Sequence, residues 1–147
     1  MRLSEYERGY LEAAIDSEGS IRLRRQKRGN NQRCTYTPEV SITNTNGEFL
    51  WKIAEICGNT GTWILKEPAG RRSKKDYWMY FLSSNEIRDI LPQLDGLVVK
   101  REHRKLLLEF LNIQNNRLRQ HRKSYTDEEY ARIEEIYWKL RELNGGV

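Results

Sequence analysis

The chain lacks most of what would mark a secreted, zinc-binding or membrane protein. Its cysteines are Cys34 and Cys57 alone, too few for a disulfide framework, and no Cys/His set has zinc-ligand spacing. His103 and His121, the two histidines, stand far apart without a third partner and read as surface or core side chains. No apolar run approaches the roughly 18 residues that a membrane span needs. Met1-Arg2-Leu3-Ser4-Glu5 is neither a signal core nor the start of an acid-poor transit peptide. These absences lead us to expect an intracellular protein, in the cytoplasm, nucleoid or an organelle, neither secreted nor membrane-bound.

What is present points to a folded, basic protein. Four Trp, eight Tyr and three Phe in 147 residues supply the large apolar surfaces that a disordered chain lacks. The net charge of +5 and pI near 9.3 point only weakly to a polyanion, but the charge is clustered. Basic runs occur at Arg22–Arg33, Arg71–Lys75, Lys100–Lys105 and Arg117–Lys123. Any one could be a solvated loop; together, separated by periodic segments, they favour nucleic acid.

Periodicity divides the chain. Ser4, with Glu7 three residues on, is a capping box opening a helix to Ser17. From Ser20 the period becomes two: Ile21 and Leu23 point one way, Arg22, Arg24, Gln26 and Arg28 the other. Gly29-Asn30-Asn31 is turn chemistry. From Arg33 to Thr43, Tyr36, Val40 and Ile42 alternate with Thr35, Thr37, Glu39, Ser41 and Thr43. Asn46 caps a helix over Gly47–Cys57, ended by Gly58. A second hairpin spans 60–67 and 76–82, where Trp63/Leu65 and Ile64/Lys66 are equally eligible as the inner pair. Helices follow over 84–94, 100–119 and, after a Thr126/Glu129 capping box, 126–143. The expected fold is α+β: an αββαββα core with a four-stranded antiparallel sheet, helices on one face and extra C-terminal helices. We expect one domain, 1–147, with a core over 1–124 and a C-terminal helix over 125–147. A sheet face left bare and studded with Arg, Gln, Thr and Ser requires a partner.

The first helix ends in Leu11-Glu12-Ala13-Ala14-Ile15-Asp16-Ser17-Glu18-Gly19. Gly9 and Ala13, four residues apart, form a small strip along which two backbones can approach. Glu18 stands at the helix C-terminus, where the macrodipole disfavours an anion. A carboxylate so placed suits a hard cation.

This segment resembles the LAGLIDADG signature of the homing endonucleases, with Leu11, Ile15, Asp16 and Gly19 matching outright and Glu18 replacing an aspartate. Ala13 keeps the first glycine position small; Glu12 and Ala14 depart from the motif's alanine and leucine. Ser41–Ile53 is similar to the family's second-strand ending and following helix, where an amide side chain closes the strand beside the metals, and Asn44 matches it with a shorter reach. Leu97–His103 is similar to the entry into the fourth helix, whose lysine Lys100 matches. The closing Leu140–Gly146 has a weaker likeness.

The resemblance implies a magnesium-dependent, site-specific double-strand DNA endonuclease of a mobile intron. Manganese would substitute, and calcium would support binding without cleavage. The catalytic residues would be Glu18, Lys100 and Asn44, with Glu18 as the metal ligand. A single motif implies a homodimer on a pseudo-palindromic site, meeting through Gly9, Ala13, Ala14, Asp16 and Ser17.

Alternate strand residues lie about 6.6 Å apart, close to two base-pair steps of about 3.4 Å each, so the sheet can track the major groove. The readers would be Ser20, Arg22, Arg24, Gln26, Arg28, Thr35, Thr37, Glu39, Ser41 and Thr43, joined by Lys66. Arg25, Lys27 and the Arg71, Arg72, Lys74, Lys75 turn would meet phosphate. RNA is a permitted but not an expected partner. The rivals are a nuclease-inactive binder, such as an intron splicing maturase or a DNA-binding regulator, and a scaffold docking through Trp51, Tyr137 and Trp138. A pure binder has no need of Glu18 and Lys100.

Overall fold

The computed structural model describes residues 1–66 and 75–145. The second basic turn, with Arg71, Arg72 and Lys74, lies outside the described residues. Helix α1 (Glu5–Glu18) carries the Ser4/Glu7 capping box in both directions, a device that contributes about 1 kcal/mol. It passes directly into β1 (Gly19–Gln26), followed by β2 (Thr35–Asn44). Helix α2 (Gly47–Cys57) is capped by the Asn46 side chain and ended by Gly58 in the left-handed region at φ 107°, as the sequence predicts. Strands β3 (Thr62–Lys66) and β4 (Tyr77–Phe81) precede α3 (Ser84–Ile90). The sequence periodicity continues helix to residue 94. Instead, with Pro92 following, the chain tightens into a single 3-10 turn, Leu91–Gln93. Helices α4 (Arg101–Arg119) and α5 (Asp127–Leu143) complete the chain, α5 behind its Thr126/Glu129 capping box. No described helix is long and apolar enough to cross a membrane.

The strands form one antiparallel sheet in the order β1-β2-β4-β3. Ile21, Leu23, Tyr36, Val40, Ile42 and Tyr80 are buried beneath the helices, and Arg22, Arg24 and Thr37 are exposed on the opposite face. The buried side chains form one cluster that includes Ile133, Ile136 and Leu140 of α5.

The register resolves the facing of the second hairpin. Trp63 pairs with Tyr80 and Leu65 with Trp78, and Tyr80 is fully buried. Trp63 and Leu65 therefore face the helices, leaving Thr62, Ile64, Lys66, Tyr77, Met79 and Phe81 on the open face. A buried polar network fixes this hairpin to α3. The Glu86 carboxylate, 4% exposed, accepts from the Tyr80 hydroxyl at 2.8 and 3.0 Å, from Ser83 N at 2.9 Å and from Thr60 N at 3.1 Å. The Tyr80 oxygen in turn accepts from Gly61 N at 2.9 Å.

Gly61 is where this network tolerates no side chain. A Cβ there would stand 2.0 Å from the Phe81 carbonyl oxygen and 2.7 Å from the Tyr80 ring. We predict that Gly61→Ala destabilises the protein by about 1–3 kcal/mol, the usual cost of overpacking, read as a lower denaturation midpoint at unchanged m-value. An unchanged midpoint would show that the hairpin is not pinned this way.

Candidate nucleic-acid interface

The open face presents Ser20, Arg22, Arg24 and Gln26 from β1 beside Thr35, Thr37, Glu39, Ser41 and Thr43 from β2, as alternation requires. These positions differ in what they can do. Arg24, Gln26 and Thr37 are exposed, and Arg28 is exposed beyond the strand end. Thr35 and Thr43 are half-buried. Ser41 is only 5% exposed, enclosed on the central strand between Ser20 and Phe81, so it is the least available of the group. Arg22 and Glu39 stand directly across the ladder and form an ion pair at 2.5 Å. Exposed pairs of this kind contribute about 0–1 kcal/mol, so a better-matched base or phosphate can displace the contact. Lys66 and Lys75 are exposed at the ends of β3 and before β4.

The end of this face is built by the last turn of α1. Gly19 closes the helix with its N–H on Ile15 O, and its backbone is already extended. A Cβ on Gly19 would stand 2.7 Å from the Ile15 Cα, so only glycine lets the helix pass into the sheet without a linker. Glu18 precedes it, exposed, with no hydrogen-bond or ion-pair partner among the described residues. The ladder pairs Gly19 with Ile42, which brings Thr43 and Asn44 to the same end. Asn44 shares the helix-side parity of Ile42 and lies across from Trp78. Its Oδ1 accepts from Asn46 N at 2.8 Å, leaving its NH2 as the free donor.

Lys100 reaches this end through two carboxylates of α1. Asp16 accepts from Val98 N at 2.9 Å and from Lys100 N at 3.0 Å. One turn earlier, Glu12 accepts from Gly96 N. The two acids clamp alternate amides of the segment leading into α4 and set Lys100, its N-terminal boundary residue, beside the turn that carries Glu18. Beneath it, His103 is 6% exposed with neither ring nitrogen hydrogen-bonded. Burial, and then the charge of Lys100, hold its pKa below the ordinary histidine value.

Solved structures with this architecture are close in shape and distant in sequence. An archaeal intron-encoded homing endonuclease, I-Vdi141I, solved in complex with DNA, superposes with a TM-score of 0.71 at 23% identity, over 95% of this chain and 84% of that one. The homing endonuclease I-CvuI, solved on a DNA target, gives 0.69 at 18% identity over 97% and 85%. The LAGLIDADG homing endonuclease I-GzeII gives 0.65 at 21% identity over 95% of this chain but 44% of its own. The fold is that of the LAGLIDADG homing endonucleases. No protein-family model matches the sequence, and no curated protein matches it.

In this fold the LAGLIDADG-like segment divides its residues differently from the sequence expectation. Ala14, expected at a dimer interface, is buried in the chain's own core with Leu11 and Ile15. Asp16, expected there too, has its carboxylate committed to Val98 and Lys100. The free strip is Gly9, Ala13 and Ser17, exposed in a row with Tyr6, which is 66% exposed. A Cβ built on Gly9 meets nothing within 4 Å.

Several residues of the basic runs have partners within the chain. Arg25, expected on phosphate, lies on the helix side over the Tyr137 and Trp138 rings at 5.5 and 5.6 Å and 3.9 Å from Glu134. Arg33 stacks on Tyr130 and pairs with Asp127. Arg117 stacks on Tyr125, Arg122 pairs with Glu129, and Arg104 donates to Leu91 O and Pro92 O. Much of the clustered charge therefore anchors α5 and the 3-10 turn. The sequence reading missed Glu12, counted as a departure from the motif. Its signal was the i, i+4 spacing to Asp16, but its target, Gly96, is visible only in the fold.

Removing the clamp should displace Lys100 without touching Glu18. Hydrogen bonds to a charged group contribute about 1.5–3 kcal/mol, so Asp16→Ala should lower stability by about that amount. It should also cut any phosphodiesterase rate at saturating substrate by tenfold or more. A variant with lowered stability but an unchanged rate would reduce Asp16 to a purely structural residue.

Proposed function

We propose that the protein is a site-specific double-strand DNA endonuclease that acts as a homodimer with magnesium. The observation that carries this reading is Glu18: exposed, unpaired among the described residues and unfavourably placed at a helix C-terminus. It stands where the helix becomes the first strand of an open, arginine-bearing sheet face. An Arg-, Gln- and Thr-lined face of this length suits major-groove readout, with Arg24 forking onto guanine and Gln26 onto adenine, each worth about 1–3 kcal/mol of discrimination.

A second copy completes the site. Gly9 has open space where a side chain would go, so nothing in its own protomer requires it to be small. A neighbouring helix packed on the strip of Gly9, Ala13 and Ser17 does. The chain spans under half of I-GzeII, in keeping with a protomer that is one half of a working unit. A two-fold axis along this strip would bring two Glu18 carboxylates together and favour a nearly palindromic DNA site.

The residues present fit a shared hard cation. Among the described residues no chain gathers three or more acidic, His or Cys side chains into a metal cluster, and Asp16 is already committed. Each protomer therefore offers one oxygen ligand, Glu18, with the partner and the scissile phosphates to supply the rest. A divalent ion there supplies Lewis-acid stabilisation of the phosphodiester. Lys100, whose backbone Asp16 holds at the start of α4, would offset the charge that develops on the phosphate. The free NH2 of Asn44 would donate to solvent and orient it at the strand end. Manganese would serve in place of magnesium, and calcium would hold DNA uncut.

Glu18→Gln keeps size and hydrogen bonding while removing the charge. Incubated with a randomised duplex library and magnesium, wild type should select one long pseudo-palindromic site. The variant should bind that site with equal or higher affinity and cut it at least a thousandfold more slowly. Cleavage by both at equal rates would refute the assignment of Glu18. Binding without cleavage by either would give the function to a nuclease-inactive nucleic-acid binder.

A further inference from the structure

The outer edge of β1 meets the end of α5 across a groove of about 430 Å³, lined by Arg22, Arg24, Arg25 and Arg141 together with Tyr137 and Asn144. No carboxylate lines it among the described residues. Arg22 and Arg25 have acidic neighbours in Glu39 and Glu134; Arg24 and Arg141 have no ion-pair partner among the described residues. We propose that this groove is a phosphate-binding site for the DNA backbone flanking the base-reading strands, with Arg141 as the residue that α5 adds to the interface. It rests on the double-stranded DNA reading above and extends it to a part of the molecule outside the sheet.

Three observations carry it. The first is that Arg141 is held in place. Its Nη1 donates to the Tyr137 hydroxyl at 3.1 Å, and its guanidinium sits 5.7 Å from the Trp138 ring centre. Arg25 stacks on the same two rings. The Tyr137–Trp138 pair thus positions the Arg141 guanidinium, and a planar fork already in place loses little freedom on gripping a phosphate.

The second is backbone chemistry. Strand β1 is a sheet edge, and Asn144 Nδ2 donates to Ile21 O at 3.0 Å, so the Ile21 peptide group points away from β2. The antiparallel ladder repeats every second residue. Leu23 and Arg25 therefore also turn both their N–H and their C=O groups outward, on the edge that lines the groove. The Leu23 and Arg25 N–H groups share this edge with the groove-lining Arg24 and Arg141, and Asn144 covers the Ile21 carbonyl that would repel an anion.

The third is width. Four strands at about 4.8 Å spacing span roughly 14 Å, comparable to the roughly 12 Å major groove. A sheet seated there has its edge strands against the sugar-phosphate walls. Arg22 and Arg24 face the bases from β1, and the groove opens directly beside them. A phosphodiester of the flanking strand is the ligand that this position and charge select.

The test is fluorescence anisotropy on the full-length protein, with wild type, R141A and R141K titrated onto the selected duplex and onto an unrelated one. It is run in calcium across a salt series. R141A should bind both duplexes about tenfold more weakly, and the slope of log affinity against log salt should fall by about two for a dimer, one per lost contact. R141K, which keeps the charge, should retain the slope. A neutral methylphosphonate at the flanking position should weaken wild type but not R141A. If R141A melts early, R141Q takes its place in the same series. An unchanged slope, or a methylphosphonate effect equal in both proteins, would overturn the site while leaving the endonuclease reading intact. If wild type binds no duplex at all, both readings fall together. Tight binding of inorganic phosphate in the groove without any slope change on DNA would make it a small-anion site and overturn the proposal.

Discussion

The last turn of α1 is the constraint on which the other parts of the molecule depend. Its acid Asp16, with Glu12 one turn earlier, holds the backbone of 96–100, and Ile15, with Leu11 and Ala14 before it, fills the core. Gly19 allows the chain to become a strand within one residue. Glu18 is left as the one acid of this turn with no internal duty. A small shift here would move the strand register, the start of α4 and the exposed carboxylate together. The site's geometry is thus inherited from helix packing rather than from a flexible loop, the kind of support that a reaction demanding sub-ångström placement needs.

Electrostatics divide along the same lines. The chain has a modest positive excess, yet many of its arginines have partners within the chain. Arg33, Arg117 and Arg122 tie the loops around α4 and α5 by stacking and ion pairing, and Arg132 pairs with Glu109 between those helices. Arg24, with Lys27 and Arg28 just beyond β1, is exposed and without an ion-pair partner among the described residues. Exposed cations at that end of the open face favour association with a polyanion.

Local chemistry made much of this legible from the sequence. Capping boxes at Ser4 and Thr126, the Asn46 cap and the Gly58 stop were readable because their partners lie within four residues. The alternation of Ile21 and Leu23 with Arg22 and Arg24 was readable because the polarity contrast is complete. The second hairpin was not, since Trp63, Ile64 and Leu65 are all apolar and only pairing with buried Tyr80 decides the face. The roles of Arg25, Arg33 and Asp16 were hidden for a different reason. Their partners are far along the chain: Tyr137, Tyr130 and Lys100. Ala14 looked equivalent to Ala13 in a small-residue motif, and only the 100° step between neighbours on the helix sends one inward and the other out.

The central claim is that two copies meet along Gly9, Ala13 and Ser17 and act on one duplex. Native mass measurement of wild type and Ala13→Glu, free and with target DNA in calcium, tests it most directly. Each chain weighs 17.6 kDa. The account predicts two wild-type chains per duplex and a variant that remains folded yet dissociates to single chains. A wild-type protein that occupies its site as one chain, or a variant that still pairs, would contradict it.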